Sequence, residues 1–107
     1  MWKIDSDGNA YNECGERIWL VEERGHLKIL RTVWNNYEPF RGFTKHSIVV
    51  FPKNFSAEDA REFLFRRVDF LNLRAQLPQL TVKQIWAECD ARARDRKKLK
   101  MLSLWAQ

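Results

Sequence analysis

Apolar residues alternate with polar ones through the first half of the chain and recur at helical spacing through the second. Met1 to Ile4 and Ala10 to Tyr11 flank Asp5-Ser6-Asp7-Gly8-Asn9, a cluster of turn formers suited to a tight reversal. Arg17 to Val21 and His26 to Trp34 flank Arg24-Gly25 and read as a hairpin. In its second arm Leu27, Ile29 and Val33 share one face, while Lys28, Leu30, Thr32 and Trp34 share the other. Asn35 to Thr44 reads as a loop containing Pro39 and Gly42. His46 to Phe51 is a β-branched apolar run stopped by Pro52, and the pattern predicts a central strand there.

At Ser56 the period changes. Ser56-Ala57-Glu58-Asp59 opens a helix, since the serine hydroxyl can accept an orphan amide and the carboxylates oppose the positive helix end. Ala57, Ala60, Leu64, Val68, Leu71 and Ala75 form one stripe, and Phe63 and Phe70 lie on a second line roughly 100° away. A helix apolar on two sides is expected to pack on a sheet and on another helix. Leu77-Pro78 ends it, and Thr81-Val82-Lys83-Gln84 has capping-box form. The predicted class is α+β: an antiparallel sheet of about four strands followed by two C-terminal helices. One domain is expected over residues 1–107, mainly β over 1–55 and mainly α over 56–107.

The last helix changes character along its length. Val82, Ile85, Trp86 and Cys89 make an apolar stripe, but Arg96 and Lys100 stand where it should continue. A helix that turns basic in this way is expected to leave the core and offer positive charge to something anionic. The charge distribution agrees. The net charge is +5, and residues 81–107 hold seven basic and three acidic side chains, so this last quarter supplies most of the excess. Arg92, Arg96, Lys97 and Lys100 cover an arc of roughly 140° on ideal geometry, flanked by Arg94 and Lys98. Leu99, Met101, Leu102, Leu104 and Trp105 do not continue the earlier stripe. That end must bend, stop or meet another apolar surface: the domain itself, a partner or a second copy.

Composition narrows the class. With 107 residues, 45% of them hydrophobic, the chain can bury roughly two-thirds of its unfolded surface and is no disordered segment. Its five tryptophans are expected mainly to fill a small core, with one or two left as partner anchors. Cys14 and Cys89 lie far apart with no ligand-spaced neighbour, which suits reduced packing cysteines in a cytoplasmic protein. No run approaches the roughly 18 apolar residues of a membrane span, and no leader-like segment follows Met1.

Candidate chemistry is sparse. Phe40 and Arg41 sit in an aromatic and basic loop whose rings are expected to fold over the sheet end, with stacking on unpaired bases as the alternative. Asp5, Asp7, Asn9 and Glu16 match part of a calcium-loop count, but Ala10 stands where that loop needs glycine, so a plain turn is expected. His26 and His46 have no neighbouring nucleophile, and no glycine-rich phosphate loop is present. No catalytic residue, metal or cofactor is therefore expected.

Taken together, these features suit a small non-catalytic inhibitor or regulator, comparable in type to many phage and mobile-element proteins. It would dock on the acidic surface of a host or regulatory protein complex, one that processes nucleic acid. Arg92, Arg96, Lys97 and Lys100 would supply charge, and Trp105 or Phe40 would be the anchor, with Phe63 and Phe70 in reserve. The alternative is direct DNA or RNA binding by the same helix and the 35–45 loop, including Arg41. A homodimer remains open on either reading, and no membrane role is expected.

Overall fold

A computed structural model describes residues 1–105, the side chain of Trp105 excepted. Strands β1 (Lys3–Ile4), β2 (Ala10–Tyr11), β3 (Arg17–Glu23), β4 (His26–Asn35) and β5 (Gly42–Val50) precede helices α1 (Ala57–Gln76) and α2 (Val82–Trp105). The strands form one antiparallel meander in chain order. The α+β class holds, with five strands where the pattern predicted about four.

The turns follow from their residues. Asp5 Oδ1 accepts the amides of Asp7 and Asn9 at 2.9 and 3.0 Å, closing the β1–β2 reversal. Arg24 and Gly25 both take positive φ, 53° and 79°, the hand that a two-residue hairpin turn requires. Two sequence expectations change at β5. The strand begins at Gly42 because Trp34 pairs with Phe43 and Val33 with Thr44, which shortens the loop. It is also an edge strand, not a central one: it pairs only with β4, and Val50 is 56% exposed.

The register sorts the side chains onto two faces. Ala10, Ile18 and Ile29 point inward and are fully buried with Phe51 against Ala60, Leu64 and Val68 of α1. The other face carries Tyr11, Trp19, Leu30, Trp34 and Phe43, and no helix covers it. Helix α1 lies between the sheet and α2. Of its second apolar line only Phe70 faces α2, where it packs with Leu73 on Ile85 and Cys89 and stacks on Trp86 with centroids 4.5 Å apart, while Phe63 turns to Phe51. The predicted two-sided helix is present. Each fully buried Leu or Ile in these clusters contributes on the order of 2 kcal/mol.

Both helix starts are capped as their sequences imply. Ser56 Oγ accepts from the Asp59 amide at 3.3 Å. Thr81 and Gln84 exchange reciprocal bonds of 2.8 and 3.2 Å. The radius of gyration, 15.7 Å, exceeds the roughly 13 Å of a compact chain this long. The molecule is extended, 55 Å along its longest axis.

Candidate functional site

The basic segment of α2 does not leave the molecule where the apolar stripe ends; it meets an acidic row on α1. Arg96 Nε donates to Glu62 Oε1 at 3.1 Å, and its Nη1 donates to Asp69 Oδ2 at 2.6 Å. Lys100 pairs with Glu58, and Arg92 lies between Glu88 at 3.8 Å and Asp69 at 4.0 Å. An opposite pairing, Arg66 of α1 with Asp90 of α2, joins the same helices. The α1–α2 seam is thus apolar near the connecting turn and ionic away from it.

Electrostatics fix this arrangement. Burial alone would lower the Arg96 pKa, but the hydrogen bonds to Glu62 and Asp69 outweigh it and hold the guanidinium above its ordinary range. Its guanidinium also lies 5.7 Å from the Phe65 ring centroid. Hydrogen bonding and charge from Lys100 hold the Glu58 carboxyl below its usual value. A cleft of about 510 Å³ remains between the helices, lined by Phe65, by the pairs Glu58–Lys100 and Glu62–Arg96, and by Arg61, Arg94 and Lys97.

Of the predicted cations, Arg92, Arg96 and Lys100 therefore face intramolecular carboxylates. Lys97 is exposed and makes no ion pair among the described residues. It groups with Arg94, Lys98, Met101 and Leu102 in a shallow, mainly apolar depression on the outer side of α2. Met101 and Leu102 are 55% and 56% exposed, and Leu99 and Leu104 are more so. The chain neither bends nor stops before them: the helix carries these residues past Lys100, whose partner Glu58 stands in the first turn of α1. The Trp105 anchor lies outside the described side chains.

The loop differs from expectation at its rings. Tyr37 and Phe40 are 81% and 74% exposed, so they stand in solvent and do not fold over the sheet end, and Arg41 is exposed beside them. The reserve anchors divide: Phe70 is covered by Trp86, while Phe63 is 44% exposed and meets Phe51 edge-on. The tryptophans divide too. Trp2 is buried and Trp86 packs in the α1–α2 seam, but Trp34 is 43% exposed on the uncovered sheet face.

Both histidines and Glu16 are locally engaged. His26 Nδ1 lies 3.0 Å from the Phe51 carbonyl, and His46 Nε2 lies 2.9 Å from Thr44 Oγ1. Glu16 bonds Asn12 and the Trp34 amide. Among the described residues, no group of three His, Cys, Asp or Glu is placed to hold a metal, and no helix is long and apolar enough to cross a membrane. Compared with known proteins, the chain matches no family model, no curated protein and no solved structure.

Proposed function

We propose that this chain is a non-catalytic interaction protein that docks on an acidic surface of a partner protein complex through the distal half of α2. One observation carries the reading: Arg94, Lys97 and Lys98 border the exposed aliphatic side chains of Met101 and Leu102 on a helix end that no other element covers. Cations around an apolar patch match the make-up of a protein docking site, in which a desolvated apolar centre supplies affinity and the charged rim supplies rate and selectivity. Phosphate binding by the same helix has less support. Three of its cations already face carboxylates, and aliphatic side chains offer no ring on which a base stacks.

Occupancy needs no reacting group, so the mode of action we propose is inhibition or regulation of a larger assembly. The class of partner we propose is a nucleic-acid-processing complex that carries an acidic surface beside an apolar one. Cys14 and Cys89 are both free thiols, which suits the cytoplasm.

The test compares the complex captured by the wild-type chain with that captured by Lys97→Glu/Lys98→Glu and by Met101→Ser/Leu102→Ser. Circular dichroism should show all three folded. A partner retained by wild type and lost by both variants supports the reading. Equal retention by all three chains would refute it.

A further inference from the structure

The outer face of the sheet combines cations and aromatic rings in a regular order. Lys3 pairs with Tyr11, and Tyr11 with Arg17. Arg17 lies opposite Thr32 by continuation of the β3–β4 register, its amide donating to Thr32 Oγ1 at 2.8 Å, and Thr32 pairs with Lys45. One row perpendicular to the strands therefore bears a cation on β1, β3 and β5, roughly 10 Å apart at ordinary strand spacing. Aromatic rings flank the row about 7 Å away on either side: Trp19 on one, and the cross-strand pair Trp34–Phe43 on the other.

The charge of this face is not that of the sequence around it. Residues 1–55 carry eight basic and seven acidic side chains. The pleat directs Lys3, Arg17, Lys28 and Lys45 outward, and Glu23, the carboxylate that accompanies them on the strands, pairs with Lys28 at 3.5 Å. Lys3, Arg17 and Lys45 make no ion pair among the described residues. The Arg17 guanidinium lies over the Trp19 ring, 4.4 Å from its centroid, and its Nη2 donates to Asn9 Oδ1 at 3.3 Å. Trp34 and Phe43 meet edge to face at 5.0 Å and are 43% and 50% exposed.

We infer that this face binds single-stranded nucleic acid. Rings stack on unpaired bases whatever their sequence, and cations at intervals across the strands neutralise the phosphates that run between them. A duplex hides its bases from such rings. A protein partner would have to present acidic groups at the spacing of these three cations. The face is distinct from the α2 depression, and the two readings stand or fall separately.

The probes are fluorescein-labelled (dT)12 and (rU)12, followed by anisotropy at 50 and 200 mM salt. Three neutralised phosphates give a log–log salt slope near −2, so affinity should fall about 20-fold over that range. Lys45→Ala should lower that fall to about 7-fold. Trp34→Leu should weaken binding about tenfold at fixed salt and reduce the quenching of tryptophan fluorescence by unlabelled oligonucleotide. Preference for either sugar supports the site and identifies its ligand as DNA or RNA. Three results would overturn it: no binding of either oligonucleotide at 50 mM salt; duplex bound as tightly as single strand; or binding lost in Lys97→Ala/Lys98→Ala but unchanged in Lys45→Ala and Trp34→Leu.

Discussion

Replacing Arg96 by alanine tests whether the basic face of α2 belongs to the fold or to a partner. The guanidinium makes two sets of charge-assisted bonds across the α1–α2 seam. The bond to Asp69, whose side chain is 17% exposed, is the better sheltered and is worth about 1 kcal/mol. The bond to Glu62 is half-solvated at 38% exposure, and screening reduces it to about 0.5 kcal/mol. Loss of the guanidinium from above Phe65 adds about 0.5 kcal/mol. The total, about 2 kcal/mol, is capped by Arg92, which stands 4.0 Å from Asp69 and can take over part of its charge. A chain of this length unfolds with an entropy of about 0.22 kcal/mol/K, so the melting temperature should fall by about 9 °C. Lys97→Ala on the outer side of the same turn should stay within about 0.5 kcal/mol of wild type. Urea and thermal denaturation of the two variants measure the difference. If Arg96→Ala is as stable as Lys97→Ala, the ionic seam is not structural and Arg96 is free for an external anion.

Three further outcomes follow from the geometry. Burial pushes the Cys89 thiol pKa up, so a thiol reagent should label exposed Cys14 within minutes and Cys89 only as the chain unfolds; comparable rates would show that the α1–α2 seam opens freely. Gly15 sits at φ +81°, and a Cβ there would stand 3.3 Å from Phe43 Cζ. Gly15→Ala should cost about 1–2 kcal/mol and displace the Phe43 ring, measured by denaturation and by the ring's NMR shifts; no effect on either would refute the placement of that ring. Glu58 has a lowered folded pKa, so its pairing with Lys100 stabilises the fold above the ordinary 4.5 and ceases to do so as pH falls through the lowered value. The stability gap between wild type and Lys100→Ala should therefore be present near neutrality and close in acid, and a pH-independent gap would exclude the pair as its source.

What could be read from the sequence was whatever is specified within a few residues. Ser56, Thr81 and Gln84 cap their helices as their types and spacing imply, and the stripe Ala60, Leu64, Val68 is the one that meets the sheet. The extra length of β5 is not legible because Pro39 and Gly42 mark the segment as a loop; the ladder to Val33 and Trp34 holds it extended from Gly42 onward. The five tryptophans could not be sorted, because a ring on a strand is equally compatible with either face until the register fixes which face α1 covers. Alternation did place Trp34 on the face opposite Ile29, and that separation is the one the sheet displays.

The charge on α2 shows why sequence alone does not separate a cation that faces solvent from one that faces a second helix. Basic residues four apart read the same whether they confront solvent or a second helix. What decides between these is a matching row elsewhere in the chain, and here it was present. Two antiparallel helices place equal steps opposite each other, and the step from Arg96 to Lys100 equals the step back from Glu62 to Glu58. Asp69, seven residues from Glu62, continues the acidic row toward Arg92. Once these cations are matched to their carboxylates, those left over on α2 are Lys83 in its first turn and Arg94, Lys97 and Lys98, no longer a stripe along the helix. Arg94, Lys97 and Lys98 form a small group near its exposed end, next to Met101 and Leu102. Three of the four unmatched cations of α2 thus stand beside apolar side chains, where water is most easily displaced and each charge would act most strongly on the partner we propose.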